Sequence, residues 1–344
     1  MKLLLLLLNP AIIGLVALFL SVLWMLRDER DKTRPVLVIA LVINLIYGFL
    51  LTVVLGRADS WLPWKYDYYL LRMDQSLGAS AASIALPFQG VWRIPLIVIY
   101  QLMVPMMIFW YLRTRKWNSQ GSVVLAYVAE MVAGPLMYAI LPACGPIYAF
   151  GATWLGHPIP PAQVIRFSGM PNAFPSLHVA TAMVLVLFAN GRWWRAISIA
   201  FLAATALATL TTGEHYAIDL APGLAFGCFA ASFGHRRMRT ACLYLGMVLF
   251  WALAIRFESA LLIASPGLVR SLAAITLALA IQAVWKEWRM PITLVAGIAR
   301  SKGAWVGETD LASGLSLLVV EPLQVGNSSN SALARAPLHN RDAH

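Results

Sequence analysis

"NAFPSLHVATAMVLVLF", residues 172–188, runs from a Pro-Ser turn into an apolar helix that carries one histidine, His178, near its top. A second stretch, "TTGEHYAIDLAPGLAFG", residues 211–227, repeats the arrangement, with His215 and Asp219 opening another apolar run. A lone polar residue at the end of a membrane span is often interfacial trim. Ionisable groups inside spans are costly and usually functional. Three such groups at the tops of two greasy helices therefore call for both a membrane fold and a chemical role.

The rest of the chain agrees with the first half of that statement. Of its 344 residues, 60% are hydrophobic and 12% charged, and its mean hydropathy is +0.74. Soluble domains carry about 25% charge. Spans of about 20 apolar residues can be read at 5–26, 35–55, 94–112, 121–141, 176–191, 195–212, 215–234, 240–256 and 267–285. The expectation is an all-α, polytopic integral membrane protein with about nine transmembrane helices. Residues 1–290 form the membrane domain, with the motifs in a core at about 120–235. The polar, aperiodic segment 291–344 reads as a disordered tail. The first span, "MKLLLLLLNPAIIGLVALFLSVLWML", has a longer apolar run than the ~7–15 residues of a signal peptide and no A-x-A-like site, so it reads as a retained helix.

Net charge is +11, which in a soluble chain would suggest nucleic acid. Its distribution says otherwise. Arg27, Arg30, Lys32 and Arg34, then Arg113, Arg115 and Lys116, then Arg192 and Arg195, then Arg236, Arg237 and Arg239 fill four short loops that fall on one side of a nine-span protein. The tail adds Lys286, Arg289, Arg300, Lys302, Arg335 and Arg341 to that side. Lys and Arg mark the cytoplasmic face. The expected topology puts the N-terminus outside, the C-terminus in the cytoplasm and both histidines at the extracytoplasmic face of a cell inner or plasma membrane. Anionic-lipid attraction at the inner surface is compatible with this. The partners expected are the bilayer and a lipid phosphate or phospholipid substrate, not nucleic acid. Cys144, Cys228 and Cys242 show no zinc spacing and support no disulfide.

Two outward connections are long. Residues 57–93 include "WLPWKYDYYLLRMDQSLG", whose Trp and Tyr cluster has the composition of an interfacial belt and predicts a helix along the surface. Residues 142–175 are rich in Pro and Gly, and loops of that length are usually functional or disordered.

In a continuous helix Asp219 sits one turn after His215 on the same face. A carboxylate there holds the imidazole tautomer and stabilises its cation, which makes the other ring nitrogen a better nucleophile or base. Pro175 suits a helix start, and the free N–H groups of that first turn form an anion site, with Ser176 able to donate one more hydrogen bond. Two histidines, a carboxylate and a helix N-terminus suit phosphate-ester chemistry, one histidine attacking phosphorus and the other protonating the leaving oxygen. A zinc site on the two histidines and the aspartate is a rival, although no further ligand cluster is evident. A transporter using the same groups as a proton relay is another, although no inverted repeat is visible. Glu130, mid-span in "AYVAEMVAGPL", is either functional or a structural hydrogen bond. Asp74 reads as a cap or anchor of the outer helix.

"PSLHV" followed by "HYAID" resembles the type-2 phosphatidic acid phosphatase superfamily, whose second motif reads P-S-G-H and whose third ends H-x-x-x-D. The resemblance covers about 120–235 closely and 57–93 more loosely. It implies a six-helix membrane core, no cofactor or metal, and a phosphohistidine intermediate. By it His215 is the nucleophile, His178 the general acid and Asp219 the orienting partner of His215. The first motif would be "LPACGPIYAF", 141–150, so that Gly145 and Tyr148, with Ser176 and Arg166, are the expected substrate-binding residues. Departures are clear. Gly145 stands where the family has Arg, Tyr138 where it has Lys, Thr209 where it has the third motif's Arg, and Leu177 where it has Gly. A phosphate needs positive charge around its transition state, and Arg166, helped by Arg57, Lys65, Arg72 or Arg93, is the expected substitute. The cation-poor pattern is similar to the branch of inositol phosphorylceramide synthases and sphingomyelin synthases, which transfer a phospho-headgroup to an alcohol. Hydrolysis and headgroup transfer both remain open from the sequence.

Overall fold

The computed structural model describes residues 53–289 apart from 54, 58–59, 79, 104–105, 108, 111–121, 157–162 and 167–168. The first expected span, nearly all of the second, the loop cations at 27–34 and 113–116, and the tail at 291–344 lie outside the described residues.

Apart from one two-stranded ribbon, the regular structure described is helical. The ribbon pairs β1 (Trp64–Lys65) antiparallel with β2 (Ile165–Arg166), Trp64 opposite Arg166. The helices are α1 (Asp67–Ser76), α2 (Ala81–Ala85), α3 (Arg93–Gln101), α4 (Val123–Ile140), α5 (Pro146–Phe150), α6 (Leu177–Leu187), α7 (Arg192–Thr212), α8 (Leu220–Gly234), α9 (Met238–Phe257), α10 (Ser259–Ala264) and α11 (Pro266–Arg289). Five segments are long and apolar enough to cross a membrane: α4, α7, Ala217–Gly234, α9 and α11. A sixth is reached if Ala81–Phe88 and Gly90–Gln101, bent by 105° at their junction, count as one broken span.

The span expected at 176–191 is shorter than its composition suggests. α6 has 11 residues, about 16 Å of helix at 1.5 Å per residue, against a hydrocarbon core of about 30 Å. Its residues from Val179 to Leu187 are all buried. They are apolar because other helices surround them, not because they face lipid, and hydropathy alone cannot separate those two causes.

α8 is the central helix, packed against α4, α6, α9 and α11. The close contact with α6 follows from glycine. A Cβ on Gly223 would lie 2.8 Å from the Ser176 carbonyl oxygen, and one on Gly227 would lie 2.5 Å from that of Ala180. This small-x-x-x-small pair lets two backbones approach as helices do in membranes, where packing replaces the hydrophobic effect. It also fixes the separation of the two histidine-bearing segments.

α6 and α8 run one way and the intervening α7 runs back, so the N-ends of α6 and α8 meet the C-end of α7. At the other end lie Arg192 and Arg195 at the start of α7, Arg236 and Arg237 between α8 and α9, Arg239 in the first turn of α9, and Lys286 and Arg289 at the close of α11. An Arg237–Glu287 ion pair and the Ser122 N–H to Gly234 carbonyl bond lock that end. The expected surface helix at 57–93 is partly a core element. Trp61 and Trp64 are exposed, but Leu70, Leu71 and Met73 of α1 are buried in a cluster with Leu141, Phe174, Tyr216 and Trp251.

Candidate functional site

The histidines arrive by different routes. His178 is the second residue of α6. Ser176 caps that helix, its hydroxyl accepting from Val179 N–H at 3.5 Å, and is itself fully buried. The 11-residue helix has free N–H groups at this end, as its Pro-Ser start implied. His215 is not helical. α7 ends at Gly213, which adopts the left-handed conformation (φ +77°), and a tight turn at 214–216 leads into a 3-10 turn, Ala217–Asp219, before α8. The one-face helical geometry expected for His215 and Asp219 is replaced by a turn that folds the two together.

Within that turn His215 is 3% exposed and its Nδ1 lies 2.7 Å from the Ala173 carbonyl oxygen. A carbonyl only accepts, so Nδ1 carries the hydrogen and Nε2 holds the lone pair. The Asp219 carboxylate lies 3.8 Å from the same Nδ1. One oxygen of Asp219 accepts from Tyr216 N–H at 3.0 Å, and the other has no hydrogen-bond partner among the described residues. The tautomer is thus held by a backbone carbonyl, with the Asp219 carboxyl beside it. Burial pushes the His215 imidazole down to about 4, opposed by the neighbouring Glu214 carboxylate and the Ala173 bond. The ring is therefore neutral at pH 7. The His178 and His215 rings meet edge to face, centres 6.0 Å apart, and Tyr100 of α3 stacks on His178 at 3.9 Å.

Two acids that the sequence did not assign to the site hold it in place. Asp67 and Asp74 are seven residues apart on α1, so they share a face. Asp67 accepts from Cys144 N–H (3.0 Å), Gly145 N–H (2.9 Å) and the Tyr216 hydroxyl (2.8 Å). Asp74 accepts from Ala81 N–H (2.9 Å), Ala217 N–H (3.0 Å) and Ile218 N–H (2.8 Å). One helix thus clamps both the 144–145 turn and the His215 turn. Burial raises Asp67 to about 6 and Asp74 to about 7, each opposed by its donors. The sequence signal was the heptad spacing of two acids inside the apolar, aromatic "DYYLLRMD".

Gly145 and Tyr148 meet the His215 turn from the other side. Gly145 has φ +90°, and a Cβ there would lie 2.2 Å from the Glu214 carbonyl oxygen. No side chain fits there, so the Arg that the resemblance would put at this position has no room. Tyr148 donates to Glu214 Oε1 at 2.9 Å, and burial raises the Glu214 carboxyl. The other substituted positions are equally structural. Tyr138 is buried, and Thr209 bonds the Ala206 carbonyl of its own helix. Leu177 fills a notch that Gly134 leaves on α4, where a Cβ would lie 2.8 Å from the Leu177 side chain.

Arg166 is exposed on the ribbon, opposite Trp64. No described hydrogen bond or ion pair joins a Lys or Arg to either histidine. Lys65 is buried and donates to the Leu62 carbonyl. Arg256 and Arg270 donate to the helix-end carbonyls of Ile140 and Ser76. Arg72 and Arg93 each keep a buried Nε with no acceptor among the described residues. Glu130, deep in α4, accepts from the Thr181 hydroxyl one turn below His178. Among the described residues no group of three or more His, Cys, Asp or Glu is disposed to hold a metal ion.

The sequence model of the PAP2 superfamily matches residues 68–233, a little under half of the chain. The match runs from α1 to the end of α8 and takes in Asp74, Tyr100, both histidines and Asp219. No curated protein and no solved structure matches.

Proposed function

We propose that this protein is a membrane phosphatase or phosphotransferase that cleaves a lipid phosphate ester through a phosphohistidine on His215. Members of the matched superfamily are phosphatases or phosphotransferases. The observation that carries the reading is the fixed tautomer of His215, a buried neutral imidazole whose Nδ1–H is held by Ala173 beside a second histidine at 6.0 Å.

Burial, and then the neighbouring His215, push the His178 imidazole down to about 3, so the ring takes up a proton from water as the anionic substrate binds. Nε2 of His215 attacks phosphorus as the bond to the lipid oxygen breaks, and His178 gives that proton to the leaving oxygen. The imidazole becomes cationic, and Asp219, 3.8 Å from Nδ1, offsets that charge. Water or an alcohol then attacks phosphorus, the P–N bond breaks, and the attacking group's proton passes to His178. The N-end of α6 faces the anion with its free amides and dipole. Arg72, Arg93 and Arg166 are the proposed cations. The distribution of loop cations in the sequence supports an orientation with this end of the bundle outside the cytoplasm and the C-terminus inside.

Headgroup transfer is the second reading, and the acid-rich surroundings favour it. Glu214, Asp67, Asp74 and Asp219 crowd the His215 turn; the Lys65 charge acts on one of them, Asp67, and no described hydrogen bond joins a Lys or Arg to His215. A diester carries one negative charge and a monoester up to two, so like-charge repulsion is smaller for a phospholipid headgroup.

The test is trapping of acid-labile, base-stable phosphate on the purified protein, with labelled lipid phosphates and intact phospholipids and with excess chelator. Wild type and His178→Ala are expected to trap label and His215→Ala none. Label retained in His215→Ala, or absent from wild type that turns substrate over, removes the phosphohistidine.

A further inference from the structure

A cavity lies at the end of the bundle away from the histidines. It has a volume of about 290 Å³ and opens between the C-end of α6, the α8–α9 turn and the last turns of α11. Its walls divide by chemistry. Leu187, Leu243 and Ala283 form the apolar part, while Arg237, Lys286 and Glu287 stand at the polar part with His235. The His235 side chain is 6% exposed, stacks on Phe188 at 4.3 Å and lies 3.9 Å from the Glu287 carboxylate. Arg237 and Glu287 pair and offset each other's charge. Lys286 is exposed at the rim, and the exposed Arg236, Arg239 and Arg289 flank it, so the surroundings are net positive.

We propose that this cavity is a second binding site, for the headgroup and glycerol backbone of an anionic phospholipid. Three features select that occupant. The cavity sits at a helix-bundle end that carries the cationic loops, where the surface of an anionic leaflet would lie. Its excess charge is positive, which a zwitterionic headgroup does not complement. Its apolar part includes Leu243, exposed on α9, and Leu277 and Ile281 are exposed on α11, so an amphiphile satisfies both halves where a free anion leaves one bare. The site is independent of the chemistry at His215.

Full-length protein, delipidated in a neutral detergent, is unfolded by heat with phosphatidylglycerol, phosphatidylcholine or inorganic phosphate added. Phosphatidylglycerol at about a hundredfold excess over its Kd should raise Tm by roughly 5 °C, and the other two should not. Lys286→Gln removes the rim cation, and Ala283→Leu fills the apolar wall. Each should at least halve the shift while leaving the lipid-free Tm within a few degrees. An equal shift with phosphatidylcholine, a shift with phosphate alone, or a full shift in either variant overturns the proposal.

Discussion

Asp74 is the side chain on which the position of His215 depends most, and Asp74→Asn tests this with almost no change of shape. The carboxylate accepts three backbone N–H groups at 2.8–3.0 Å, from Ala81, Ala217 and Ile218. Hydrogen bonds to a charged group are worth about 1.5–3 kcal/mol, and an orphaned buried donor costs about 1–3 kcal/mol. Asparagine keeps one accepting oxygen but turns an NH2 toward the remaining N–H. One or two bonds are lost, so about 2–4 kcal/mol of stability should go, within the 5–15 kcal/mol of a typical fold. Ala217 and Ile218 follow His215 by two and three residues, so the imidazole shifts with them. A misplacement of about 1 Å costs about a hundredfold in rate. The pH dependence adds a sign. Burial raises Asp74 from 3.8 to about 7, so the folded state holds this proton more tightly than the unfolded one. The stability from that linkage is fully present below about 4 and is lost as pH rises through about 7. Asparagine does not titrate, so the fall in Tm between pH 4 and 8 should be shallower in the variant than in wild type. Thermal unfolding across pH and initial rates on a lipid phosphate measure both effects. A variant with wild-type rate, or with an unchanged slope of Tm against pH, would refute the clamp.

Gly145→Ala should lower activity at least tenfold and stability by about 2 kcal/mol or more. Its φ of +90° strains any L side chain, and the clashing partners are backbone atoms of Glu214 and Gly213. Full activity would show that the turn can yield. Gly227→Ala brings a Cβ to 2.5 Å from the Ala180 carbonyl and should separate α6 from α8, costing about 1–3 kcal/mol and most of the activity. Gly246→Ala on α9, where nothing lies within 4 Å, should be silent in the same assays. Tyr100→Phe preserves the stack on His178 and should stay within about threefold of wild type. Tyr100→Ala removes an aromatic contact worth about 0.5–1.5 kcal/mol, so kcat should fall by up to about tenfold with KM less affected. The pH–rate limb due to His178 should move in Tyr100→Ala and stay in Tyr100→Phe.

The parts of the site that are local in sequence were legible there. A histidine after Pro-Ser and the His215–Asp219 spacing show in a few consecutive residues, and the long spans show in their composition. What stayed hidden depends on contacts distant in the chain. Asp67 reaches Tyr216 across 149 positions, and Asp74 reaches Ile218 across 144. No local pattern distinguishes such a clamp from a helix cap. Apolar residues also read alike whether they face lipid or protein, so the short run 176–191 still read as a span. The absent family cations looked like a deficit in catalysis, yet at Gly145 the cause is steric: the Glu214 carbonyl occupies the space of a Cβ.

That steric cause bears on which substrate the site takes. Asp67 and Asp74 are committed to backbone amides and the Tyr216 hydroxyl, and Arg256 and Arg270 are committed to the carbonyls of Ile140 and Ser76. Neither set is free to move onto a phosphate without opening the fold. On the proposed reading, what remains for the anion is the N-end of α6, a positive end equivalent to about half a charge, and one of the proposed cations Arg72, Arg93 and Arg166. One half-charge and one guanidinium exceed the charge of a singly charged diester and fall short of that of a dianionic monoester. If this is the governing term, kcat/KM on an intact phospholipid should exceed that on the matching lipid monophosphate. Raising pH from 6 to 8, which completes the second ionisation of a monoester, should widen the gap. A monoester preferred at pH 8 would mean that a cation reaches the site more closely than the described contacts show, and single replacements of Arg72, Arg93 and Arg166 would identify which.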